Sequence, residues 1–402
     1  MSDIRFVLTK YRNGILSYSI NMQSSRLETI HFYDTENTTD HVNIGDIFVA
    51  KVMNVAKNIN AVFIDYQKGK HGYLPINDQY DPLLLNRKYD GHLKAGDELL
   101  VQLEKEAVRS KEPVFTSDLS LAGKYCVITS CSKGKGVSKK CPKLYRSCLL
   151  AAIPEDIKYG VVIRTNASEL ISESPESLEL LEKECLQLSE QMDLIIQDAV
   201  HRTCYSRVWQ APPPYLTVLR DIRNLCYSQI ITDDENLYSE LYSFLKYSSP
   251  KLSDKLTLYS DTSYPLSKLH SIETRIGELL SSKVWLRSGA YLIIEKTEAM
   301  YVIDVNSGKN ITKKSNSEYI LAINIEAAKE IMYQLRLRNL TGIIMVDFIN
   351  MDNACDKEKL LHELSQDAKY DPIKTVIVDM TALDLVEITR QKNMKSLAEQ
   401  LS

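Results

Sequence analysis

Apolar and polar residues alternate along the first forty positions, which predicts paired strands. In the segments 4–8 and 15–20, apolar side chains recur at every second position, as expected of half-buried strands. A polar stretch at 34–41 follows and predicts a boundary. The chain therefore begins with a predicted strand hairpin.

Short strands interrupted by Gly and Asp predict a small all-β module over residues 43–124. Its strand-like segments are 45–52, 61–66, 72–75 and 96–103. This spacing is typical of a barrel of the OB type. Residues 125–215 begin with strands and a lysine-rich loop and then become helical around 173–200. Consecutive prolines at 212–214 predict a linker, because proline cannot continue a helix.

The pattern changes again in the last third of the chain. Residues 216–282 mix helix and strand, and beyond 290 apolar runs alternate with helical segments. The predicted strands are 290–295, 300–305, 342–348 and 375–379, and the predicted helices are 318–339 and 356–368. Such alternation indicates an α/β arrangement with strands buried on both faces.

The amino-acid composition excludes several classes of protein. The 402 residues carry 49 Lys and Arg against 53 Asp and Glu, a net charge of −4, which excludes a polybasic binder but not a local basic patch. With 44% hydrophobic and 25% charged residues, two or three globular domains are expected. No run approaches the roughly 18 apolar residues of a membrane span, and no signal core follows the N-terminus. Eight cysteines without a C-x-x-C pair predict reduced thiols and a cytoplasmic location.

Acidic residues end two of the predicted strands. Asp304 and Asn306 are two positions apart and share one face of a strand, and Asp347 ends a second apolar run. Ligands bind at the carboxyl ends of strands in α/β sheets, so converging carboxylates there would suit Mg²⁺. The alternative is that each acid caps a helix or begins a loop. Asp379 also ends a predicted strand, which shows that the pattern alone is unspecific.

Aromatic and basic residues meet in the predicted barrel. Phe63 and Tyr73 flank a basic hairpin, and on such a surface rings stack on bases while cations contact phosphates. The alternative is that the rings belong to the core. Lys111, in a nearby loop, is either a phosphate contact or simply solvated.

Two further segments carry residues that could bind a polyanion. Residues 133–143 are the densest positive stretch, as in a phosphate contact or a solvated loop. Arg164 and Thr165 end an apolar strand, where a guanidinium beside a hydroxyl can hold a terminal phosphate; a plain surface arginine is the alternative. The sequence contains no phosphate-loop, dinucleotide or serine-nucleophile motif and no zinc-site spacing.

Long segments of the chain closely resemble the ribonuclease E/G family. The core signature of that family is matched by residues 297–307 and 334–351. Residues 61–66 and 71–75 look like its S1 RNA-binding domain, and residues 120–125 and 163–165 match the stretches that follow it. The similarity runs in order from about 43 to 394.

The resemblance implies a single-strand-specific RNA endonuclease that leaves 5′-monophosphate and 3′-hydroxyl ends, acting in rRNA processing or mRNA decay. The implied fold is α+β with several subdomains. An RNase H-like part in two segments (1–42 and 216–282) encloses an S1 domain of the OB fold (43–124) and a 5′-sensor subdomain (125–215), and a DNase I-like catalytic subdomain (283–402) follows.

Roles carry over residue by residue. Asp304 and Asp347 match the Mg²⁺ ligands, with Mn²⁺ a substitute, and Asn306 matches the residue that orients Asp304 and helps to place the scissile phosphate. The remaining matches are Arg164 and Thr165 for 5′-monophosphate sensing, and Phe63, Tyr73 and Lys111 for RNA binding.

The sequence departs from the family pattern after residues 385–391, where members usually carry a C-P-x-C zinc link. No cysteine follows Cys355, so we expect no zinc in this chain, and any homo-oligomer would form without a zinc link. The loop at 308–314 also differs from its usual Arg-containing version. A catalytically silent RNA-binding or scaffold homologue is the alternative function, although a binder needs neither acid.

Overall fold

The computed structural model describes residues 3–35, 42–77, 79–107, 111–173, 177–221, 227–261, 263–308, 317–392 and 394–402. The chain divides into two compact units. The first unit comprises Met1–Glu36, Leu225–Glu240 and Lys255–Ser402, and the second comprises Asn37–Asn224 and Leu241–Asp254.

The first unit begins with an antiparallel meander. Its strands are β1 (Ile4–Tyr11), β2 (Gly14–Asn21) and β3 (Arg26–Asp34), which pair in order. This confirms the predicted hairpin.

The second unit begins with a closed barrel. Its strands are β4 (Ile47–Ala56), β5 (Ala61–Gln67), β6 (Lys70–Pro75), β7 (Glu98–Lys105) and β8 (Val114–Thr116). Strand β7 pairs back with β4, which closes the ring. Phe115 fills the interior, and a Cβ on Gly72 would lie 2.6 Å from its ring, so a larger residue cannot replace Gly72 without repacking. The predicted OB-like barrel is confirmed.

A small α+β layer follows in the same unit. A four-stranded sheet in the order β11-β12-β10-β9 is formed by β9 (Ser120–Ala122), β10 (Cys126–Thr129), β11 (Lys135–Val137) and β12 (Gly160–Ile163). Its helices are α1 (Arg146–Ala151), α2 (Ser168–Glu173) and α3 (Leu178–Ala199). Strand β13 (Arg207–Trp209) returns to β4. Helix α4 (Pro214–Asp221) begins at the third proline, a position that proline favours.

The chain then completes the first sheet of the first unit. Strands β14 (Gln229–Thr232) and β15 (Leu256–Leu258) add in parallel to β1, which gives the order β15-β14-β1-β2-β3. The helices of this stretch of the chain are α5 (Glu235–Ser248), α6 (Pro250–Ser253), α7 (Leu266–Leu269) and α8 (Ile272–Leu280). The second part of α5 and the whole of α6 belong to the second unit.

The last part of the first unit is a second α/β layer. It contains β16 (Lys283–Trp285), β17 (Tyr291–Lys296), β18 (Met300–Asn306), α9 (Ser317–Leu337), β19 (Gly342–Asp347), α10 (Ala354–Lys369), β20 (Thr375–Met380), β21 (Leu385–Arg390) and α11 (Leu397–Leu401). The strand order is β16-β17-β18-β19-β21-β20. These bounds confirm the elements predicted beyond residue 290.

The expectation that these strands are buried on both faces is wrong. Burial alternates along β18, where Ile303 is buried and Asp304 is exposed. The buried residues of the strands pack against α9 and α10 in one apolar cluster. The opposite face of the sheet is therefore the open face, and polar side chains can stand on it without burial.

Two further expectations concern the whole chain. None of the described helices is long and apolar enough to cross a membrane. The seven cysteines within the described part of the chain are free thiols, and Cys226 lies outside it.

Candidate functional site

Asp304 and Asp347 lie side by side on the open face of the second sheet. Strands β18 and β19 are adjacent and parallel, and Asp304 is the register partner of Asp347. Neighbouring strands are about 4.8 Å apart, so the two carboxylates project from the same face one strand spacing apart. The structure thus brings together the two acids that the sequence placed at separate strand ends.

Asn306 joins the same group. It lies two residues beyond Asp304 on β18, hence on the same face, and its Nδ2 donates a hydrogen bond of 2.7 Å to Asp304 Oδ2. This contact fixes the orientation of the Asp304 carboxylate. The orienting role expected of Asn306 stays a prediction, which this hydrogen bond supports.

The electrostatics of the pair favour a bound cation. Burial, and then the charge of Asp304, raise the pKa of Asp347 above its ordinary value. Two facing carboxylates repel each other, and a cation between them relieves that repulsion. No group of three or more His, Cys, Asp or Glu side chains that could hold a metal occurs within the described ranges. The donor set is therefore two hard carboxylates and an amide, which suits Mg²⁺ because this ion keeps several of its waters.

A buried asparagine holds the segment that follows Asp347. The Asn324 side chain of α9 is fully buried; its Nδ2 donates to Ile349 O at 2.8 Å and its Oδ1 accepts from Ile349 N at 3.1 Å. Both polar atoms are thus satisfied inside the core. This residue escaped the sequence analysis, where an isolated polar residue in an apolar helix was the only signal.

A buried ion pair fixes the start of β19. Arg390, at the end of β21, donates to both carboxylate oxygens of Asp371, at 2.8 and 3.2 Å, and to Asn339 Oδ1 at 2.9 Å. Asn339 takes a left-handed conformation (φ 48°) in the turn before β19. Burial alone raises the pKa of Asp371, but the hydrogen bonds from Arg390 and Thr375 bring it below its ordinary value. The network positions the strand that carries Asp347.

In the second unit, Arg164 directly follows β12 and forms an ion pair with Asp221. Its Nη1 donates to Asp221 Oδ1 and to Gly123 O, each at 2.6 Å. The Asp221 side chain is the first cause of the raised pKa of Arg164. Burial raises the pKa of Asp221, and Arg164 with Arg220 more than reverses this. Sequence reasoning missed Asp221, which lies 57 residues from Arg164.

Thr165 contacts the lysine-rich segment. Strand β11 pairs in parallel with β12, and Ser138, just beyond β11, lies with its Oγ 3.1 Å from Thr165 Oγ1. Exposed Lys139 and Lys140 follow Ser138 directly. Two features that the sequence offered separately, the basic segment and the Arg-Thr pair, are therefore neighbours.

The barrel residues lie on its outer surface. Phe63 and Tyr73 are register partners on β5 and β6, half-buried, with ring centroids 6.0 Å apart. The interior is filled instead by their neighbours Val62, Ile64 and Leu74. The rings are therefore not core residues, which leaves them accessible for stacking.

Basic groups flank this aromatic pair. Lys111 is exposed and lies two residues before Pro113, whose carbonyl accepts a 2.9 Å hydrogen bond from Tyr73 N. His71 Nδ1 lies 2.5 Å from Asp65 Oδ1. That hydrogen bond, with the charge of Asp65, raises the pKa of His71.

The unusual loop after Asn306 falls largely outside the described residues, which resume at 317.

Comparison with known proteins identifies the family to which the chain is similar. A profile of the ribonuclease E/G family matches residues 120–393. Ribonuclease G of Haemophilus influenzae is 30% identical over 367 residues, which cover 88% of this chain and 73% of that protein. Ribonuclease G of Escherichia coli is 29% identical over 88% of this chain and 74% of its own length.

A ribonuclease E matches as well. That of a Nostoc species is 32% identical over 372 residues, 90% of this chain and 53% of the longer protein. The matched region contains Asp304, Asn306 and Asp347, since all three lie within residues 120–393. The chain belongs to the ribonuclease E/G family.

Proposed function

We propose that this chain is a Mg²⁺-dependent endoribonuclease that cleaves single-stranded RNA and reads the state of its 5′ end, in rRNA processing or mRNA decay. The observation that carries the proposal is the register pairing of Asp304 with Asp347 on an open sheet face. The names of the family and of its relatives support the RNA substrate. The finer division into RNase H-like, S1, 5′-sensor and DNase I-like parts belongs to the same proposal.

The acidic pair would hold the metal. Asp304 and Asp347 would bind Mg²⁺, or Mn²⁺ in its place, and the bound ion would neutralise charge at the phosphate and make a water more acidic. Asn306 holds Asp304 in one orientation through its 2.7 Å hydrogen bond. In the overall reaction, water adds at phosphorus and the bond to the 3′-oxygen breaks. The products are a 3′-hydroxyl and a 5′-monophosphate.

Arg164 and Thr165 would bind the 5′-monophosphate. A phosphate carries three strong acceptors and up to two charges, so it can replace Asp221 as the partner of Arg164, with the Thr165 hydroxyl beside it. A 5′-hydroxyl offers no charge with which to compete. Only a charged RNA end would therefore compete with Asp221 for Arg164.

Phe63, Tyr73 and Lys111 would hold the RNA strand on the barrel. Half-exposed rings stack on bases of any sequence, and cations beside them contact the phosphates. The raised pKa of His71 favours the protonated form of this side chain near the rings. This surface would account for binding without strong sequence preference.

The alternative is a silent RNA-binding or scaffold homologue. The two functions are separated by incubating the full chain with a short A/U-rich RNA bearing a 5′-monophosphate, either single-stranded or annealed to its complement. Internal cleavage of the single strand alone, with 3′-hydroxyl and 5′-monophosphate products, supports the enzyme. Stable binding without cleavage of either form, across Mg²⁺ and Mn²⁺ concentrations, supports the silent homologue.

A further inference from the structure

Lys283, Trp285 and Tyr291 form a compact cluster, here called the ring platform, at one edge of the second sheet. The ring centroids of Trp285 and Tyr291 are 5.2 Å apart. Lys283 Nζ lies 4.0 Å from the Trp285 ring centroid and 3.9 Å from that of Tyr291. The three side chains thus combine two aromatic faces with one cation.

Strand register places the ring platform on the open face beside the acidic pair. Trp285 pairs with Tyr291, and Tyr291 pairs with Asn306. Directly paired residues project from the same face of a sheet. Trp285, Tyr291 and Asn306 therefore form one row across three strands, and the distance from ring to amide is about one to two strand spacings of 4.8 Å.

A second row runs parallel to the first. Lys283 pairs with Ile293, Ile293 pairs with Asp304, and Asp304 pairs with Asp347. The cation and the acidic pair thus lie on one face, three strand spacings from end to end. Any extended polymer whose phosphate lies at Asp304 and Asp347 can run across this face towards the ring platform.

The platform is exposed but held in place. Trp285 is 64% exposed, so most of its indole is accessible although Lys283 and Tyr291 lie against it. The turn between β16 and β17 is fixed from α9, because Glu326 Oε1 accepts from Arg287 N at 2.8 Å and from Ser288 N at 3.3 Å. A hairpin that is already fixed loses less entropy when a ligand binds.

We propose that the ring platform stacks on a nucleobase of the single-stranded RNA whose phosphate lies at the acidic pair, and that Lys283 contacts the adjoining phosphate. The inference rests on the proposed function for the identity of the polymer. Every base has a π-face, so this site would hold the strand without selecting its sequence. It would add a fixed point close to the scissile bond, separate from Phe63 and Tyr73 of the barrel.

Tryptophan fluorescence tests the stacking directly. The chain contains two tryptophans, Trp209 and Trp285, so a Trp209→Phe background leaves Trp285 as the only reporter. A short single-stranded RNA with a 5′-monophosphate is titrated in EDTA, which prevents cleavage. We expect quenching of Trp285 that saturates with the binding isotherm. Saturated RNA binding without any change in Trp285 emission would overturn the proposal.

A double-mutant cycle, in which Trp285 and one nucleobase are removed separately and together, then measures the contact between them. The RNA carries an abasic nucleotide moved one position at a time, and affinities are compared for the wild type and for Trp285→Ala. Removal of one aromatic stack should weaken binding roughly 5- to 100-fold. At one RNA position, the abasic nucleotide should weaken RNA binding by the wild type by this factor. The same abasic RNA should bind Trp285→Ala almost as tightly as the intact RNA does. Additive losses at every position would refute the stacking.

Matched variants separate the two proposals. As the control, Tyr370→Ala removes a ring outside the platform that is 82% exposed just after α10, and it should leave RNA binding unchanged. Circular dichroism checks that each variant is folded. RNA cleavage by the wild type without coupling at Trp285 leaves the proposed function intact and rejects the platform. Coupling at Trp285 without cleavage by the wild type supports the platform and rejects the nuclease.

Discussion

Asp304 and Asp347 face each other across adjacent parallel strands, as register partners on β18 and β19. Burial and the charge of Asp304 raise the pKa of Asp347. Like charges this close repel each other, and the divalent ion of the proposed function would relieve that repulsion. Functional sites commonly retain such local conflicts, which the surrounding fold compensates.

Part of that compensation is the buried pair of Arg390 and Asp371, whose side chains are 2% and 0% exposed. Asp371→Asn should lower the free energy of unfolding of the first unit by about 3–5 kcal/mol, because it leaves a buried guanidinium without its counter-charge. Chemical denaturation followed by far-UV circular dichroism measures this. Asp198→Asn, which removes an exposed partner of Arg202, is the control and should cost less than about 1 kcal/mol. Equal losses in the two variants would contradict the structural role.

The Arg164–Asp221 pair predicts opposite effects for its two members. Arg164→Ala should abolish the preference for 5′-monophosphorylated over 5′-hydroxyl RNA, whereas Asp221→Asn should increase it, because the phosphate no longer displaces a carboxylate. A charge-assisted hydrogen bond contributes about 1.5–3 kcal/mol, so the preference should change roughly 10- to 100-fold. Cleavage rates on matched RNAs measure it, with Arg202→Ala as the control. If Arg164→Ala kept the preference for 5′-monophosphorylated RNA, Arg164 would not be part of the site that binds the 5′-monophosphate.

His71 predicts a pH dependence of RNA binding to the barrel. The hydrogen bond that His71 Nδ1 donates to Asp65 raises the pKa of His71 above 6.5, so the imidazolium and its ion pair are fully present below that value. Both are lost as pH rises through the raised pKa. RNA affinity should fall over the same window, and Asp65→Asn should move the fall to lower pH. NMR titration of the imidazole, alongside RNA affinity, measures this; an unchanged midpoint in Asp65→Asn would disprove the coupling.

The sequence predicted the second sheet well, because its apolar runs and helical repeats are strong local signals. The strand predicted at 300–305 is observed at Met300–Asn306, and the helix predicted at 318–339 at Ser317–Leu337. The alternation of burial within these strands was missed, since a half-exposed sheet with apolar residues such as Val302 and Ile343 on its open face resembles a fully buried one in sequence.

The candidate site was only partly predictable, for a different reason. Asp379 ends a strand just as Asp347 does, and only the strand order places β20 beyond β21, away from β18. Arg164 and Asp221 meet across 57 residues, and Trp285 meets Tyr291 only through a hairpin register. Long-range pairing decides these contacts, and no local pattern encodes it.

The most direct measurement compares cleavage of one 5′-monophosphorylated, A/U-rich single-stranded RNA by the wild type, Asp304→Asn, Asp347→Asn and Asp379→Asn, each with Mg²⁺ and with EDTA. We predict internal cleavage only with Mg²⁺ and only by the wild type and Asp379→Asn, while the RNA affinity of every variant stays within about tenfold, or about 1.4 kcal/mol. Full activity of Asp304→Asn or Asp347→Asn, or cleavage in EDTA, would contradict the account.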